Sequence, residues 1–167
     1  MRRYYLTAFL LIIGFASLAN TAVVQRVIDG DTVVLEDGSK VRLIGIDTPE
    51  TKDPRKPVQY FGEEATAYTK RMLEGREVRL EFDQEKTDRY GRTLAYIFIP
   101  MPGGNDIFFN ERIIADGYAF AYTKYPFRDD YMDRFRAAER KARESSFAFG
   151  QIQHRLGNQQ HQKKLMI

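Results

Sequence analysis

Short β-branched runs separated by turn residues fill the early part of the chain. VVQRVI (23–28), TVVLE (32–36) and KVRLIGI (40–46) read as strands. Asp29-Gly30-Asp31 and Asp37-Gly38 punctuate them, the second as a tight hairpin. Thr48 to Gln59 (TPETKDPRKPVQ) is charged and Pro-rich, hence an exposed loop. The period then changes. A helix opens at Phe61-Gly62-Glu63-Glu64, runs through Leu73 with Ala65, Tyr68 and Met72 on one face, and stops at Gly75.

Strands return at Glu77 to Phe82 and Thr93 to Ile99, flanking the polar turn Asp83 to Gly91. Pro100 to Asp106 (PMPGGND) is a loop, and Ile107 to Asp116 reads as a second helix, ended by Gly117. Tyr118 to Tyr122 is short and aromatic. Asp129 to Ser145 is the third helix, striped by Met132, Phe135, Ala138 and Ala142. Its acidic start and basic end suit the helix dipole. Five short strands with a helix inside the series, then two more helices, predict an α+β, mainly β, fold. A five-stranded OB-type barrel with three helices fits that count.

The ends differ from the body. Met1 to Tyr5 is a short basic start, Leu6 to Leu18 is mostly apolar, and Ser17-Leu18-Ala19 and Ala22 offer small residues for cleavage. That arrangement is of secretory type, and the apolar run is short for a membrane span. An uncleaved anchor or a buried helix is the alternative. The expected organisation is a signal peptide over 1–22, one domain over 23–150, and a Gln-rich, disordered tail over 151–167. The mature protein is expected to be secreted or periplasmic, meeting the membrane only during export.

Composition narrows the chemistry. The chain has 167 residues and no Cys, which excludes thiol nucleophiles, disulfides and zinc–cysteine sites. Its 2 His, His154 and His161, both lie in the tail, so acid–base work in the body falls to carboxylates, with Arg and Lys as partners. The net charge of +3 is also a property of the ends: 1–22 and 151–167 carry no acid, and the body between them is net negative. The basic balance is therefore no sign of nucleic-acid binding by the body.

Two acidic clusters, Asp29-Gly30-Asp31 and Asp47-Thr48-Pro49-Glu50, sit at the ends of apolar strands. Each alone reads equally well as a turn or strand end. If the strands pair, Asp31 and Asp47 converge into a hard-oxygen site suited to Ca²⁺ or Mg²⁺. Arg42 lies among apolar residues and needs an anionic partner; Arg92 starts another strand and can reach the same point. Two Arg, two Asp, a Glu and a divalent cation are the parts for phosphodiester cleavage: the metal polarises the phosphoryl oxygen, the arginines stabilise charge, and Glu50 takes a proton from water.

IDGDTVVL, VRLIGIDTPET, FGEEATAYTK, TDRYGRTLAYIF and FFNERIIADGYA, in that order and spacing, resemble the thermonuclease (staphylococcal or micrococcal nuclease) family from about Arg26 to Gly150. The resemblance implies an OB barrel with three helices and calcium-dependent endonucleolytic hydrolysis of DNA and RNA to 3′-phosphates. It assigns Asp31 and Asp47 as calcium carboxylates, with the Thr48 carbonyl beside them and Asp29 in the outer sphere. It assigns Glu50 as general base, Arg42 and Arg92 as phosphate-binding arginines, and Tyr90 and Tyr122 to the nucleotide pocket. For Tyr122, core packing is an equal alternative. Lys124 falls roughly where the family often has a second pocket aromatic. The family's Trp near the end of the last helix is absent, with Phe147 or Phe149 to fill that place. No stable protein partner is implied, and a monomer is expected. The competing reading is a noncatalytic OB module that binds nucleic acid or protein.

Overall fold

The computed structural model describes residues 20–49 and 61–145. Residues 1–19, where most of the expected signal peptide falls, Glu50, Phe147, Phe149 and the Gln-rich tail lie outside the described residues.

Eleven elements follow in order: β1 (Thr21–Asp29), β2 (Thr32–Leu35), β3 (Lys40–Leu43), β4 (Ile46–Asp47), α1 (Gly62–Leu73), β5 (Glu77–Glu81), β6 (Thr93–Ile99), β7 (Ile107–Phe108), α2 (Phe109–Ala115), β8 (Phe120–Ala121) and α3 (Asp129–Glu144). β1 pairs antiparallel with both β2 and β5, β2 with β3, and β5 with β6. The parallel pairing of β3 with β6 closes the ring. Five strands thus form a closed mixed barrel, the OB arrangement expected from their number. Closure removes the exposed edges that a small open sheet would leave. β4 and β8 form a separate two-stranded ribbon, with Asp47 opposite Phe120.

Two element boundaries differ from the sequence reading. KVRLIGI is not one strand, because Gly45 adopts φ 73° and turns the chain between β3 and β4. A Cβ there would stand 2.7 Å from the rings of Phe127 and Phe135, so the site requires glycine on two counts. The turn also breaks the alternation. Ile46, which period two groups with Arg42, is instead fully buried. The second helix begins at Phe109 rather than Ile107, because Ile107 and Phe108 pair with Ile99 and Phe98 of β6.

The barrel interior holds Val24, Val33, Val41, Leu43 and Ile97, and α3 covers one end through Tyr131, Phe135, Ala138 and Ala142. Tyr131 rather than Met132 leads that stripe. Its ring meets Tyr96 edge-on at 4.8 Å, and its hydroxyl donates to Glu81. Arg128, just before α3, donates to Glu81 and Asp130 and lies over the Tyr131 ring at 4.2 Å. Asn110, fully buried in α2, accepts from the Ile97 amide and donates to the Ile44 carbonyl, each at 2.9 Å. It ties α2 to β6 and to the turn between β3 and β4. Among the described residues no helix is long and apolar enough to cross a membrane.

Candidate active site

The tight turn Gly30–Asp31 joins β1 to β2, with Asp29 paired to Thr32 at its base. Gly30 is needed here for space rather than for φ: a Cβ would stand 2.7–2.9 Å from side-chain atoms of Thr48. That approach brings the two acidic clusters together. Asp31 is buried; its Oδ1 accepts from the Thr32 hydroxyl at 2.9 Å, and its Oδ2 accepts from the Thr48 amide and hydroxyl at 3.3 Å.

Arg42 completes the contact. Its NH2 stands 3.0 Å from Asp31 Oδ2 and 3.5 Å from Asp47 Oδ1. Its NH1 donates to the carbonyls of Leu43 and Ile46 at 2.9 and 3.0 Å. One guanidinium therefore holds the turn between β3 and β4 and faces both carboxylates. The structure brings Asp31, Asp47 and Arg42 together, with the Asp47 side chain about half exposed.

Asp29 lies half-buried on the other side of Asp31, and the Asp31 amide donates to its Oδ1 at 3.3 Å. Burial, then the charge of Asp31, pushes the Asp29 carboxyl up to about 7. The Asp31 charge faces Arg42 on one side and the Asp29 carboxyl on the other. The donors fit a hard ion: Asp31, Asp47 and the Thr48 carbonyl offer oxygen alone. Among the described residues no set of three or more His, Cys, Asp or Glu side chains is grouped as a metal cage.

Arg92 immediately precedes β6, the strand that pairs with β3. The β3–β6 register pairs Arg42 with Leu94, and Arg92 lies two residues earlier in the chain. Along the strand this separation is about 7 Å. Asp88 organises the turn before it. Oδ1 of Asp88 accepts from the amides of Tyr90 and Arg92, and Oδ2 accepts from Arg92 Nε at 2.8 Å. Burial raises the Asp88 carboxyl, but the hydrogen bonds from Arg92 and Tyr90 outweigh it and hold it below the usual carboxylate range. Tyr90 is 68% exposed, with the guanidinium carbons of Arg89 and Arg92 at 4.8 and 5.6 Å from its ring centroid.

Tyr122 continues the β4–β8 ribbon, its amide donating to the Gly45 carbonyl at 2.8 Å, and is half-buried. Tyr125 was not singled out by sequence. It is 60% exposed, and its ring lies 6.0 Å from that of Tyr122. An exposed aromatic thus stands one residue beyond Lys124, beside the ribbon that carries Asp47.

Residues 40–149 match the family described as staphylococcal nuclease homologue. The chain is 44% identical over 122 residues to a thermonuclease of Staphylococcus hyicus, covering 71% of this chain and 69% of that protein. It is 45% identical over 122 residues to the thermonuclease of Staphylococcus intermedius, with the same coverage. Endonuclease YncB of Bacillus subtilis is 37% identical over 123 residues, covering 71% of this chain and 56% of that protein.

The chain belongs to the staphylococcal nuclease family.

In this family member the sequence reading assigned Asp88, which holds Arg92, no role of its own, and did not point to Tyr125. The spacing Asp88 to Arg92 with Gly91 between them signals a side-chain-stapled turn and was the available clue to the first. Tyr125 carried no such signal, because its exposure depends on how the segment leaves β8.

Proposed function

We propose that this chain is an exported, calcium-dependent endonuclease that hydrolyses DNA and RNA to 3′-phosphate products. Family membership makes it a hydrolase of nucleic-acid phosphodiester bonds; the finer reading rests on the site. The observation that carries it is the single Arg42 NH2 facing both Asp31 and Asp47, at 3.0 and 3.5 Å. Clustered hard oxygens beside a guanidinium suit a cation and a phosphate together.

Asp31, Asp47 and the Thr48 carbonyl would hold the ion, with Asp29 beside them. When bound, calcium supplies Lewis-acid polarisation of a phosphoryl oxygen. Arg42 and Arg92 bind the phosphate oxygens and stabilise charge as it builds. Glu50, two residues beyond Thr48 in the chain, takes the proton of the attacking water. The water oxygen bonds to phosphorus, the bond to the 5′-oxygen breaks, and that oxygen leaves as a hydroxyl with a proton drawn from solvent, to which Glu50 afterwards releases its own. Tyr90 and the Tyr122–Tyr125 pair offer faces for base stacking, which is tolerant of sequence.

The test is cleavage of single-stranded DNA by protein beginning at Val23, with calcium and then with excess chelator, beside an identically purified Glu50→Gln variant. Calcium-dependent cutting that falls by about a hundredfold or more in Glu50→Gln, with calcium still bound, is the expected result. Near-normal cutting by Glu50→Gln removes Glu50 as base. Binding without cleavage by the folded wild type, in any divalent ion, moves the chain to the noncatalytic OB module.

A further inference from the structure

We infer that Thr69, in the middle of α1, is a positioning residue for the metal-binding turn. This inference rests on the calcium site proposed above. Thr69 is fully buried, and its hydroxyl donates to the Gly30 carbonyl at 2.8 Å, 39 residues away in sequence. A helical threonine ordinarily returns its hydroxyl to the carbonyl four residues earlier. Thr66, one turn away, does so to Gly62 at 2.9 Å. Thr69 instead makes its bond across to the turn between β1 and β2.

The acceptor matters because of what shares its peptide plane. The Gly30 carbonyl and the Asp31 amide belong to one rigid peptide unit. Thr69 holds its oxygen, while Asp29 Oδ1 takes its N–H at 3.3 Å. Held at both ends, the plane cannot rotate, and the backbone bond from which the Asp31 side chain is aimed is fixed. Gly30 is also wedged against Thr48, whose amide and hydroxyl donate to Asp31. Thr69 thus braces, from the helix side, a turn that places both a carboxylate and the neighbouring Thr48. Without its hydroxyl, the Gly30 carbonyl loses its buried partner and the peptide gains freedom to turn. The carboxylate then spends part of its time misaimed, and calcium affinity falls. Groups that orient metal ligands in this way carry about tenfold or more of the affinity.

Thr69→Val keeps the shape and removes the hydroxyl; Thr69→Ser keeps the hydroxyl and removes a methyl. Calcium binding to each folded protein, without nucleic acid, is measured by titration calorimetry, together with the calcium-induced rise in melting temperature. The expected result is affinity about tenfold weaker in Thr69→Val, with a smaller calcium-induced rise, and near wild-type affinity in Thr69→Ser despite a lower melting temperature. Equal affinity in wild type and Thr69→Val, with lowered stability alone, overturns the inference. If Thr69→Val does not fold, Thr69→Ser decides: wild-type affinity on a less stable protein supports the role, and affinity lost in step with stability removes it. A wild type that binds no calcium refutes instead the site on which the inference rests.

Discussion

Arg92 is held through Nε and NH2 to a single oxygen of Asp88, at 2.8 and 2.7 Å, and that grip aims the rest of its guanidinium. An ammonium has neither the fork nor the reach to reproduce it. Arg92→Lys is therefore expected to lower kcat by about a hundredfold while the melting temperature changes little. A full-rate Arg92→Lys enzyme would make that arginine structural. Asp29 has the opposite electrostatic problem. Its carboxyl is pushed from 3.8 to about 7 by burial and then by Asp31. Between about pH 4 and 7 the folded, metal-free protein therefore holds a proton that the unfolded chain has lost. Stability in chelator is expected to fall as pH rises through that window, at up to ~1.4 kcal/mol per pH unit from this group. Asp29→Asn, which mimics the neutral form, should flatten the fall. Urea denaturation from pH 4 to 8 checks this, and an unchanged slope in Asp29→Asn assigns the pH dependence elsewhere.

At the scale of elements, the site depends on how α1, α2 and α3 brace the strands. Asn110 is the bond between α2 and the turn that carries Arg42's carbonyl partners. Asn110→Ala leaves the buried Ile97 amide and Ile44 carbonyl without that partner, a cost of about 2–4 kcal/mol. It should also lower activity beyond what unfolding explains, since the turn is shared with Arg42; denaturation combined with kcat at a temperature where the variant is fully folded separates the two effects. Most elements were legible from local pattern. β6 and α1 run as expected, and the turn residues stand where Gly and Asp predicted them. The misread stretches combine a local turn, at Gly45, with pairings outside the local window. Ile46 and Phe108 each took their place from a partner distant in sequence, Ala121 and Phe98, and alternation or helical period within a window carries no information about such partners.

At the scale of the whole molecule, a net-negative body carries Arg42 and Arg92, each partly buried and paired with a carboxylate. Binding to single-stranded DNA is expected to depend on calcium and to weaken with salt. If Arg42 and Arg92 are the principal phosphate contacts, the slope of log affinity against log salt is about −1.4. Titration with the Glu50→Gln variant in calcium measures it without turnover. A slope steeper than about −4 would mean that other basic side chains, Arg89 and Lys124 first, also grip the backbone.

The amino-acid sequence by itself determined the five barrel strands and the turns between them, the three helices, the absence of thiol and histidine chemistry from the body, and the acidic and basic residues available for a phosphodiester site. These follow from properties that neighbouring residues carry: branching, period, turn preference and charge. Tertiary structure decided which of them meet. Barrel closure through β3 and β6 sets Arg92 beside Arg42's strand. The approach of Thr48 to Gly30 joins the two acidic clusters, and Thr69 braces the join from a helix. Burial beside Asp31, not the identity of Asp29, gives that carboxyl its high proton affinity. Each depends on distances between segments far apart in the chain, which the closed barrel alone sets.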